Sequence, residues 1–423
     1  MTDTDTVVVG AGQAGLAVSR LLSAAGRDHV VMERGRIGER WRSERWDSLR
    51  LQTPNWMTRL PGWRYDGPDP DGYLSAGALA QFLDRYAASF DAPVLESANV
   101  EQVSVVTRTS GHRYVVVSDR GTWRTRHLVI ATGPHGVPHG PAGWHARGVE
   151  LITAQQYLNP AQLPSGGVLI VGASSSGVQI ADELVRAGRP VVLAVGRHAR
   201  MPRRYRGRDI FWWLSRTGRL ARTIDDIRDP AAARREPSLQ LVGRNEDLDL
   251  AVLQARGVRL TGRLAQVKGG QAWFRADLAD SVASADRRMH RLLDTVDKFA
   301  DAAGLGQELG PPVRPWMVAI PPTPTRLDLR AEGIGTVLLA TGYRPSHPWL
   351  RLPVTAPDGT IAQRRGVTAA PGVYVVGQRF QHRRDSGYID GARHNAQAVV
   401  AHLLGRAAPL VPTLPAANAA PTS

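Results

Sequence analysis

The stretch that decides the fold is Val7-Val8-Val9-Gly10-Ala11-Gly12-Gln13-Ala14-Gly15, an apolar run that ends in G-x-G-x-x-G. In a strand–turn–helix unit, the first glycine permits the tight turn, the second lets a pyrophosphate approach, and the third lets the helix pack on the strand. The helix start at Gln13 and Ala14 offers N–H groups and a positive dipole end to phosphates. The next strand ends in Glu33, where an acid typically holds a ribose hydroxyl. The stretch therefore predicts a dinucleotide-binding βαβ unit, the alternative being a glycine turn without a ligand.

The same pattern recurs from Val168 onward. A short apolar strand leads into Gly172-Ala173-Ser174-Ser175-Ser176-Gly177, a helix follows, and a second strand ends in Gly196-Arg197. This internal repeat predicts a second dinucleotide-binding domain. Arginine at the end of the second strand can bind a 2′-phosphate as a bidentate fork, and a carboxylate there would repel it. Arg197 therefore favours NADPH over NADH, with a solvated surface arginine as the alternative interpretation.

The composition is that of a globular protein of two or more domains: 423 residues, 43% hydrophobic and 22% charged. The net charge of +15 comes almost entirely from arginine, since Lys268 and Lys298 are the only lysines. These arginines are spread along the chain without a nucleic-acid-binding motif, so we expect no nucleic-acid partner. Anionic cofactors and a basic surface explain the charge more simply.

The absence of cysteine narrows the chemistry. It excludes disulfide scaffolds, thiolate metal sites and the C-x-x-C dithiol of flavin reductases. His382 and His394 have no partner at metal-ligand spacing, so no metal site is expected. No leader pattern precedes the first strand, and no apolar run approaches the ~18 residues of a membrane span. We therefore expect a cytoplasmic protein without a membrane span.

The order of the patterns predicts an α/β fold of two nested Rossmann-like three-layer domains. The first part of one domain covers residues 1–163 and its second part covers 340–410, with the other domain, which carries a helical insertion, inserted at 164–339. A disordered tail is expected at 411–423. Further expected elements are helices over 76–90, 286–303 and 391–404, a short strand over 49–52, strands over 336–340 and 372–376, a β-meander of strands from Val100 to Val106 and from His112 to Val117, and a returning strand over 123–130.

Taken together, the two glycine motifs, Ala131-Thr132-Gly133 and Ala340-Thr341-Gly342 make the chain resemble the flavin-containing monooxygenase group of two-dinucleotide-binding-domain flavoproteins. That group includes Baeyer–Villiger and N-hydroxylating enzymes, plant indole-pyruvate monooxygenases and bacterial members labelled as potassium-transport flavoproteins. The resemblance extends from Val7 to Leu404. It implies that FAD and NADPH are the cofactors.

The resemblance also implies which residues bind each cofactor. The FAD site would comprise Gly10, Gly12, Gln13, Ala14, Gly15, Glu33, Arg34, Arg40, Trp41, Val100, Ala131, Thr132, Gly133, Gly377 and Asp390. The NADPH site would comprise Gly172, Ser174, Ser175, Ser176, Gly177 and Arg197, with Thr341 and Gly342 in the second A-T-G segment.

Two positions depart from the family pattern. The His-Ser element that often precedes the second glycine motif is missing at residues 148–153. Gln52 stands where the group often has an asparagine near the flavin and nicotinamide. Gln52 is our candidate for a hydrogen bond to the flavin or the nicotinamide amide, the alternative being a loop amide satisfied by backbone. Arg50 is a candidate for stabilising an anionic oxygen intermediate, or else pairs with Asp47.

The leading functional hypothesis is a monooxygenase. NADPH would reduce FAD, O₂ would form a C4a-(hydro)peroxide on the flavin, and one oxygen atom would pass to an N, S or ketone centre of a small substrate. Candidate pocket residues are Trp46, Trp56, Trp63, Trp212, Trp213, Arg314, Trp316, Arg383 and Arg384. The alternatives are an NADPH oxidase or reductase, which forms H₂O₂ or reduces a small acceptor, and a flavin-binding redox-sensing accessory protein. A homodimer is compatible with each.

Overall fold

The computed structural model describes residues 1–106, 111, 113–140 and 148–406. His112 and the tail predicted at 411–423 therefore lie outside the described residues. Within the described part of the chain, none of the helices combines the length and hydrophobicity needed to cross a membrane.

The regular elements are numbered in chain order. The strands are β1 (Thr2–Val9), β2 (His29–Met32), β3 (Arg59–Leu60), β4 (Trp63–Arg64), β5 (Val94–Leu95), β6 (Val100–Val105), β7 (Tyr114–Ser118), β8 (Gly121–Ile130), β9 (Val137–Pro138), β10 (Glu150–Thr153), β11 (Gly167–Val171), β12 (Val191–Ala194), β13 (Ala199–Arg200), β14 (Arg204–Tyr205), β15 (Arg208–Asp209), β16 (Leu239–Gln240), β17 (Arg259–Thr261), β18 (Leu264–Lys268), β19 (Gln271–Phe274), β20 (Arg326–Asp328), β21 (Ile334–Leu339), β22 (Tyr343–Arg344) and β23 (Val373–Val375). The α-helices are α1 (Gln13–Ala24), α2 (Glu39–Ser43), α3 (Ala76–Ala88), α4 (Ser175–Arg186), α5 (Ile210–Arg216), α6 (Pro230–Arg234), α7 (Leu250–Ala255), α8 (Leu278–Ala302) and α9 (Ile389–Leu403). Short 3₁₀ turns cover Asn55–Met57, Pro160–Gln162, Ile224–Asp226, Leu305–Gln307 and Arg384–Gly387.

The first sheet is built around β1. Its strand order is β5-β2-β1-β8-β7-β6, and β23 also pairs with β8. Strands β2, β1, β8 and β23 run parallel, with Val7 opposite Val30 on one side and Leu128 on the other. The valines of β1 are fully or almost fully buried because helices or further elements cover both faces of this central strand.

The second sheet, like the centre of the first, consists of parallel strands. Its order is β10-β21-β11-β12-β17, with Val168 opposite Val191 and Thr336. The antiparallel meander β18-β19-β20 adds a small separate sheet. Strand β10 precedes the boundary predicted at 163/164 but pairs in this second sheet. The predicted α/β fold of two nested Rossmann-like domains is confirmed, whereas the individual domain boundaries stay predictions.

The second domain carries an insertion, which includes α5, α8 and the segment around Leu220. This insertion lies against the first domain. Within it, α8 buries Met289, Leu293 and Val296 in one cluster with Phe211 and Trp213 of α5. The segment around Leu220 meets the turn before α9, since Leu220 O accepts from Asp385 N at 3.2 Å.

Two crossings join the domains. The chain passes from the first sheet toward the second after β8 and returns after β21. Just beyond these strands, β9 and β22 pair antiparallel, with Val137 opposite Arg344 and Pro138 opposite Tyr343. The two crossings are therefore hydrogen-bonded to each other.

Most expected elements form with shifted ends. The helix expected over 286–303 begins earlier, at Leu278, and that expected over 391–404 is Ile389–Leu403. The strand expected over 49–52 is wrong: this stretch makes only an isolated bridge between Arg50 and Ser75.

Candidate functional site

The first glycine turn is closed on the inside and open on one side. Gly10 has φ +107°, and a Cβ added there would lie 2.8 Å from Ala131 O. A Cβ on Gly15 would lie 1.9 Å from Gly10 O, so this position admits no side chain. A Cβ on Gly12 would meet nothing within 4 Å. The three glycines therefore form the steric cradle that a pyrophosphate needs.

The polar groups of the turn are arranged around this opening. The backbone ladder of α1 begins with Leu16 N donating to Gly12 O at 3.0 Å, so the amides of Gln13 and Ala14 precede it. Glu33 accepts hydrogen bonds from the backbone N–H groups of Ala11, at 2.8 Å, and Gly35, at 3.1 Å. The carboxylate is thus fixed at the end of β2, beside the glycine turn.

A cavity of about 590 Å³ opens from this turn. Thirteen of the residues predicted for FAD line it: Gly10, Gly12, Gln13, Ala14, Glu33, Arg34, Arg40, Trp41, Val100, Ala131, Thr132, Gly133 and Gly377. Gly15 supports the turn from behind. The hydroxyl of Thr132 is buried without a hydrogen-bond partner in the described residues, which leaves a polar atom for a ligand. The cradle, the cavity and this orphaned hydroxyl fit a dinucleotide such as FAD.

Asp390 is not among the residues that line this cavity. Its carboxylate is held by Arg59, at 2.9 and 2.6 Å, and by Arg393, at 2.7 Å. The structure therefore places Asp390 in an ion-pair network at the start of α9, and its cofactor role stays a prediction.

Cations surround one end of the cavity. Arg40 donates to the carbonyl of His135, and the Arg45 guanidinium lies 5.1 Å from the centre of the Trp41 ring. Burial, with a smaller contribution from the charges of Arg45, Arg40 and Arg379, lowers the pKa of His135 to about 3. His135 is therefore neutral near pH 7, and the positive charge at this end suits an anionic cofactor.

The second glycine turn has the same steric design. Gly172 has φ +105°, with a hypothetical Cβ 2.6 Å from Ala340 O, and a Cβ on Gly177 would lie 1.8 Å from Gly172 O. Ser174 stands where the first turn has Gly12. It is the N-terminal cap residue of α4, and its carbonyl accepts from Val178 N at 3.1 Å. Thr341 donates to the carbonyl of His139 in the crossing. The turn keeps both close approaches and adds hydroxyls from Ser174, Ser175 and Ser176.

The arginines near this turn differ in solvent exposure and in whether they are paired with carboxylates. Arg197, just after β12, is exposed and donates to the carbonyl of Arg235. Arg200 is buried between Asp249 and Asp286, at 2.8 and 2.7 Å, and Arg203 is buried against Asp209. Of these three arginines, Arg197 alone is exposed, as a 2′-phosphate ligand must be. The serine-bearing turn and Arg197 together fit NADPH.

Comparison with known proteins agrees with this geometry. Residues 7–215 match the family described as pyridine nucleotide-disulphide oxidoreductase. A flavin-containing monooxygenase from Stenotrophomonas maltophilia has the same fold, with a TM-score of 0.64 and 20% identity over 96% of this chain and 99% of that one. The matched residues and the shared fold are those of a flavoprotein oxidoreductase with two dinucleotide-binding domains.

Relatives by sequence point the same way. The flavoprotein is 29% identical to an uncharacterized CzcO-like oxidoreductase of Geobacillus kaustophilus, over 95% of this chain and 98% of that protein. It is 30% identical to the probable indole-3-pyruvate monooxygenase YUCCA1 of Arabidopsis thaliana over 43% of this chain and 44% of the plant protein. Despite the family's description, the flavoprotein has no cysteine and hence no redox dithiol of its own.

Gln52 connects the two domains of the flavoprotein. Its amide N–H group donates to Ser175 Oγ at 2.6 Å and to the carbonyls of Leu239 and Leu241 at 3.2 and 3.0 Å. The structure thus brings Gln52 to the second glycine turn, with its amide donors satisfied by protein atoms. Arg50 is exposed and donates to Tyr73 O at 3.0 Å, while Asp47 accepts from Asn159. No contact between Arg50 and Asp47 is formed in the described residues.

The tryptophans expected around a pocket serve mainly as core. Trp46 and Trp213 are buried in separate hydrophobic clusters, and Trp213 Nε1 donates to Tyr205 O at 2.7 Å. Trp63 packs on Phe82 and Tyr86. Of the remaining three, Trp56 and Trp212 are partly buried against the cluster of Trp213, whereas Trp316 is 86% exposed.

Sequence reasoning missed several residues that line the cavity of the flavoprotein: Met32, Gly38, Ala98, Asn99, His135, Ser346, Pro348, Trp349 and Gly387. No motif marks them. Those at 135 and 346–349 lie on the two crossings, so the A-T-G segments that precede these crossings were the available signal.

Proposed function

We propose that the flavoprotein is an FAD- and NADPH-dependent monooxygenase that transfers one oxygen atom of O₂ to an N, S or ketone centre of a small organic substrate. The observation that carries this proposal is the pairing of two complete glycine cradles in a chain without cysteine. Two nucleotide sites without a dithiol favour direct use of the flavin with O₂. Relatives named as monooxygenases support it.

FAD occupies the cavity at the first cradle, with Glu33 toward the ribose and the start of α1 toward the pyrophosphate. When bound, FAD supplies the hydride acceptor and the reaction with O₂. Trp41 and Trp349 form apolar wall around it, and Gly377 leaves room beside α1, because a Cβ there would lie 3.0 Å from Ala14 Cβ. These residues orient the cofactor and exclude water.

NADPH occupies the second cradle, with its 2′-phosphate toward Arg197. Gln52 fixes Ser175 at the first turn of α4, so the first domain positions the turn that holds the nicotinamide nucleotide. The His135 ring at the cavity stays neutral near pH 7, with one N–H donor and one acceptor nitrogen. The chain's own residues therefore bind, orient and shield, and the redox chemistry belongs to the cofactors.

A second candidate is an NADPH oxidase that releases H₂O₂. It is favoured by the hydrogen bonds of Gln52, whose amide donors are used by Ser175 and two carbonyls. In that arrangement no amide donor of Gln52 remains for the flavin. A homodimer and a cytoplasmic location stay predictions for either candidate.

The test follows the flavin spectrum. The FAD-loaded protein is reduced anaerobically with NADPH or NADH and then mixed with O₂ in the presence of small amines, sulfides and ketones. The proposal expects faster reduction by NADPH, loss of that preference in R197A, and product formed with less than stoichiometric H₂O₂. Stoichiometric H₂O₂ with every substrate supports the oxidase instead, and no reduction by either nucleotide contradicts both enzyme proposals.

A further inference from the structure

We propose that Arg219, Arg379 and Arg384, here called the arginine cluster, bind the anionic group of the substrate, so that the substrate is a small carboxylate or comparable oxyanion. This inference rests on the monooxygenase proposed above and names the substrate class of that enzyme.

The arginine cluster lies beside the FAD cavity. Arg384 begins the 3₁₀ turn that ends at Gly387, and Gly387 lines the cavity. A Cβ on Gly387 would lie 3.8 Å from Arg379 Cγ. Arg219 comes from the insertion of the second domain, and its neighbour Leu220 accepts from Asp385 N. The cluster therefore sits where the insertion meets the cavity wall.

One carboxylate serves these three cations. Arg384 Nη1 pairs with Glu236 Oε2, and Arg379 Nη2 donates to the backbone carbonyl of Glu236. The side chain of Glu236 is 50% exposed, so much of its charge is solvated. Positive charge at this place is therefore in excess.

Two donor groups of the cluster lack an acceptor. Arg219 makes no hydrogen bond or ion pair with any residue that the structure describes, although it is partly buried. Arg384 Nε is buried without a partner among the same residues. Burial lowers the pKa of Arg219, and the nearby charges of Arg384 and Arg222 lower it further, while Glu236 acts in the opposite direction. Binding of an external anion would relieve this repulsion and supply acceptors for the partly buried guanidinium, so it is energetically favourable.

The buried arginines of the described residues provide a comparison. Buried arginines elsewhere have carboxylates of their own: Arg200 has Asp249 and Asp286, Arg203 has Asp209, and Arg383 has Asp385. The fold thus pairs its three buried arginines with carboxylates, whereas the partly buried Arg219 has no carboxylate of its own among the described residues. A negatively charged ligand would supply Arg219 with the counterion that these residues do not provide.

The two cofactors do not explain the cluster. Neither Arg219 nor Arg384 lines the cavity at the first glycine turn. The second turn has its own cation in Arg197, which donates to the carbonyl of Arg235. An anion other than the two cofactors would supply the missing countercharge, and the position beside the cavity wall points to the substrate as its source.

The test measures binding rather than turnover. Isothermal titration of the FAD-loaded, NADP⁺-bound protein compares benzoate with benzamide, a neutral molecule of the same shape. Benzoate is expected to bind at least about tenfold more tightly. R219M should weaken benzoate binding about tenfold or more and leave benzamide unchanged. R228M, which removes an exposed arginine of the same insertion, should change benzoate binding less than about twofold.

Equal binding of benzoate and benzamide, or unchanged benzoate binding in R219M, overturns the proposal. Loss of FAD content or of NADP⁺ affinity in R219M also overturns it, because the cluster would then serve a cofactor. If R219M does not fold, R379M takes its place under the same criteria. Arg219-dependent benzoate binding in a protein that NADPH cannot reduce would refute the monooxygenase and leave the anion site standing.

Discussion

At the scale of single residues, the three glycines of the first turn have different steric duties. Gly10 supplies a positive φ, Gly15 supplies a contact closer than any side chain permits, and Gly12 supplies empty space. The same residue type is therefore required for folding at one position and for ligand binding at another. Substitution by alanine separates the two requirements.

We expect G15A to destabilise the protein by about 1–3 kcal/mol and to abolish FAD binding, because its methyl group would overlap Gly10 O. G12A should keep the stability of the wild type but bind FAD at least about tenfold more weakly. Urea unfolding and FAD titration check both. G77A, at an uncrowded site in α3, is the control and should be neutral or stabilising. A stable G15A or an FAD-tight G12A would contradict the cradle geometry.

His135 links the cavity to pH. Burial lowers its pKa from 6.5 to about 3, and burial also lowers the pKa of His394 to about 3. The unfolded chain therefore takes up these protons at higher pH than the folded chain does, and the folded state loses stability as pH falls from about 6.5 toward 3.

We expect the urea midpoint of the flavin-free protein to fall as pH is lowered from 7 to 5. The fall should be shallower in H135N and shallower still in H135N/H394N, since asparagine has no proton to gain. An identical pH dependence in the double variant and the wild type would show that these histidines are not the cause.

Sequence reasoning found those site residues whose role depends on local pattern. Glu33 and the glycines follow from spacing along one βαβ unit, and the structure places them at one cavity. The partners of Gln52 could not be foreseen, because Ser175 lies 123 residues away and meets it only through domain packing. His135 carried no motif at all.

At the scale of elements, periodicity located helices better than their ends. The first turns of α8 are polar, with Asp280 and Ser281 among them, so its start at Leu278 was missed by eight residues. Short strands such as β10 and β17 depend on neighbours in the sheet rather than on their own sequence. The loop at 49–52 alternates like a strand but finds only one bridging partner.

The contact between this loop and α4 is testable. Q52A removes the donor to Ser175 and to two carbonyls, at a cost of about 1–3 kcal/mol for the groups left unsatisfied. We expect weaker NADP⁺ binding with an unchanged flavin spectrum, measured by titration and absorbance. Q254A, which loses a single exposed bond to Ala319 O, is the control. A shifted flavin spectrum with normal NADP⁺ affinity would instead place Gln52 at the flavin.

At the scale of the whole molecule, the insertion and the last segment of the first domain hold each other. Ile224 N donates to His382 O at 2.6 Å, Arg384 N donates to Arg222 O at 2.9 Å, and Arg365 pairs with Asp225 at 2.6 Å. Backbone bonds across a domain boundary make independent unfolding of either domain costly. The two nested domains should therefore behave as one cooperative unit.

We expect FAD to stabilise both domains although it binds to one. At a free FAD concentration of 100 times Kd, the free energy of unfolding should rise by about 2.7 kcal/mol. Tryptophan fluorescence and far-ultraviolet circular dichroism should report the same midpoint before and after addition. Two separate transitions, of which FAD moves one, would show that the domains unfold independently.

The paired crossings β9 and β22 have a mechanical consequence. Each crossing follows an alanine that closes a glycine turn, Ala131 under Gly10 and Ala340 under Gly172. Because the two crossings are hydrogen-bonded to each other, they resist twisting more than a single linker would. A change in the angle between the domains at these crossings would move each nucleotide together with its own glycine turn. The distance between the flavin and the nicotinamide would then change, while the shape of each binding site would stay the same.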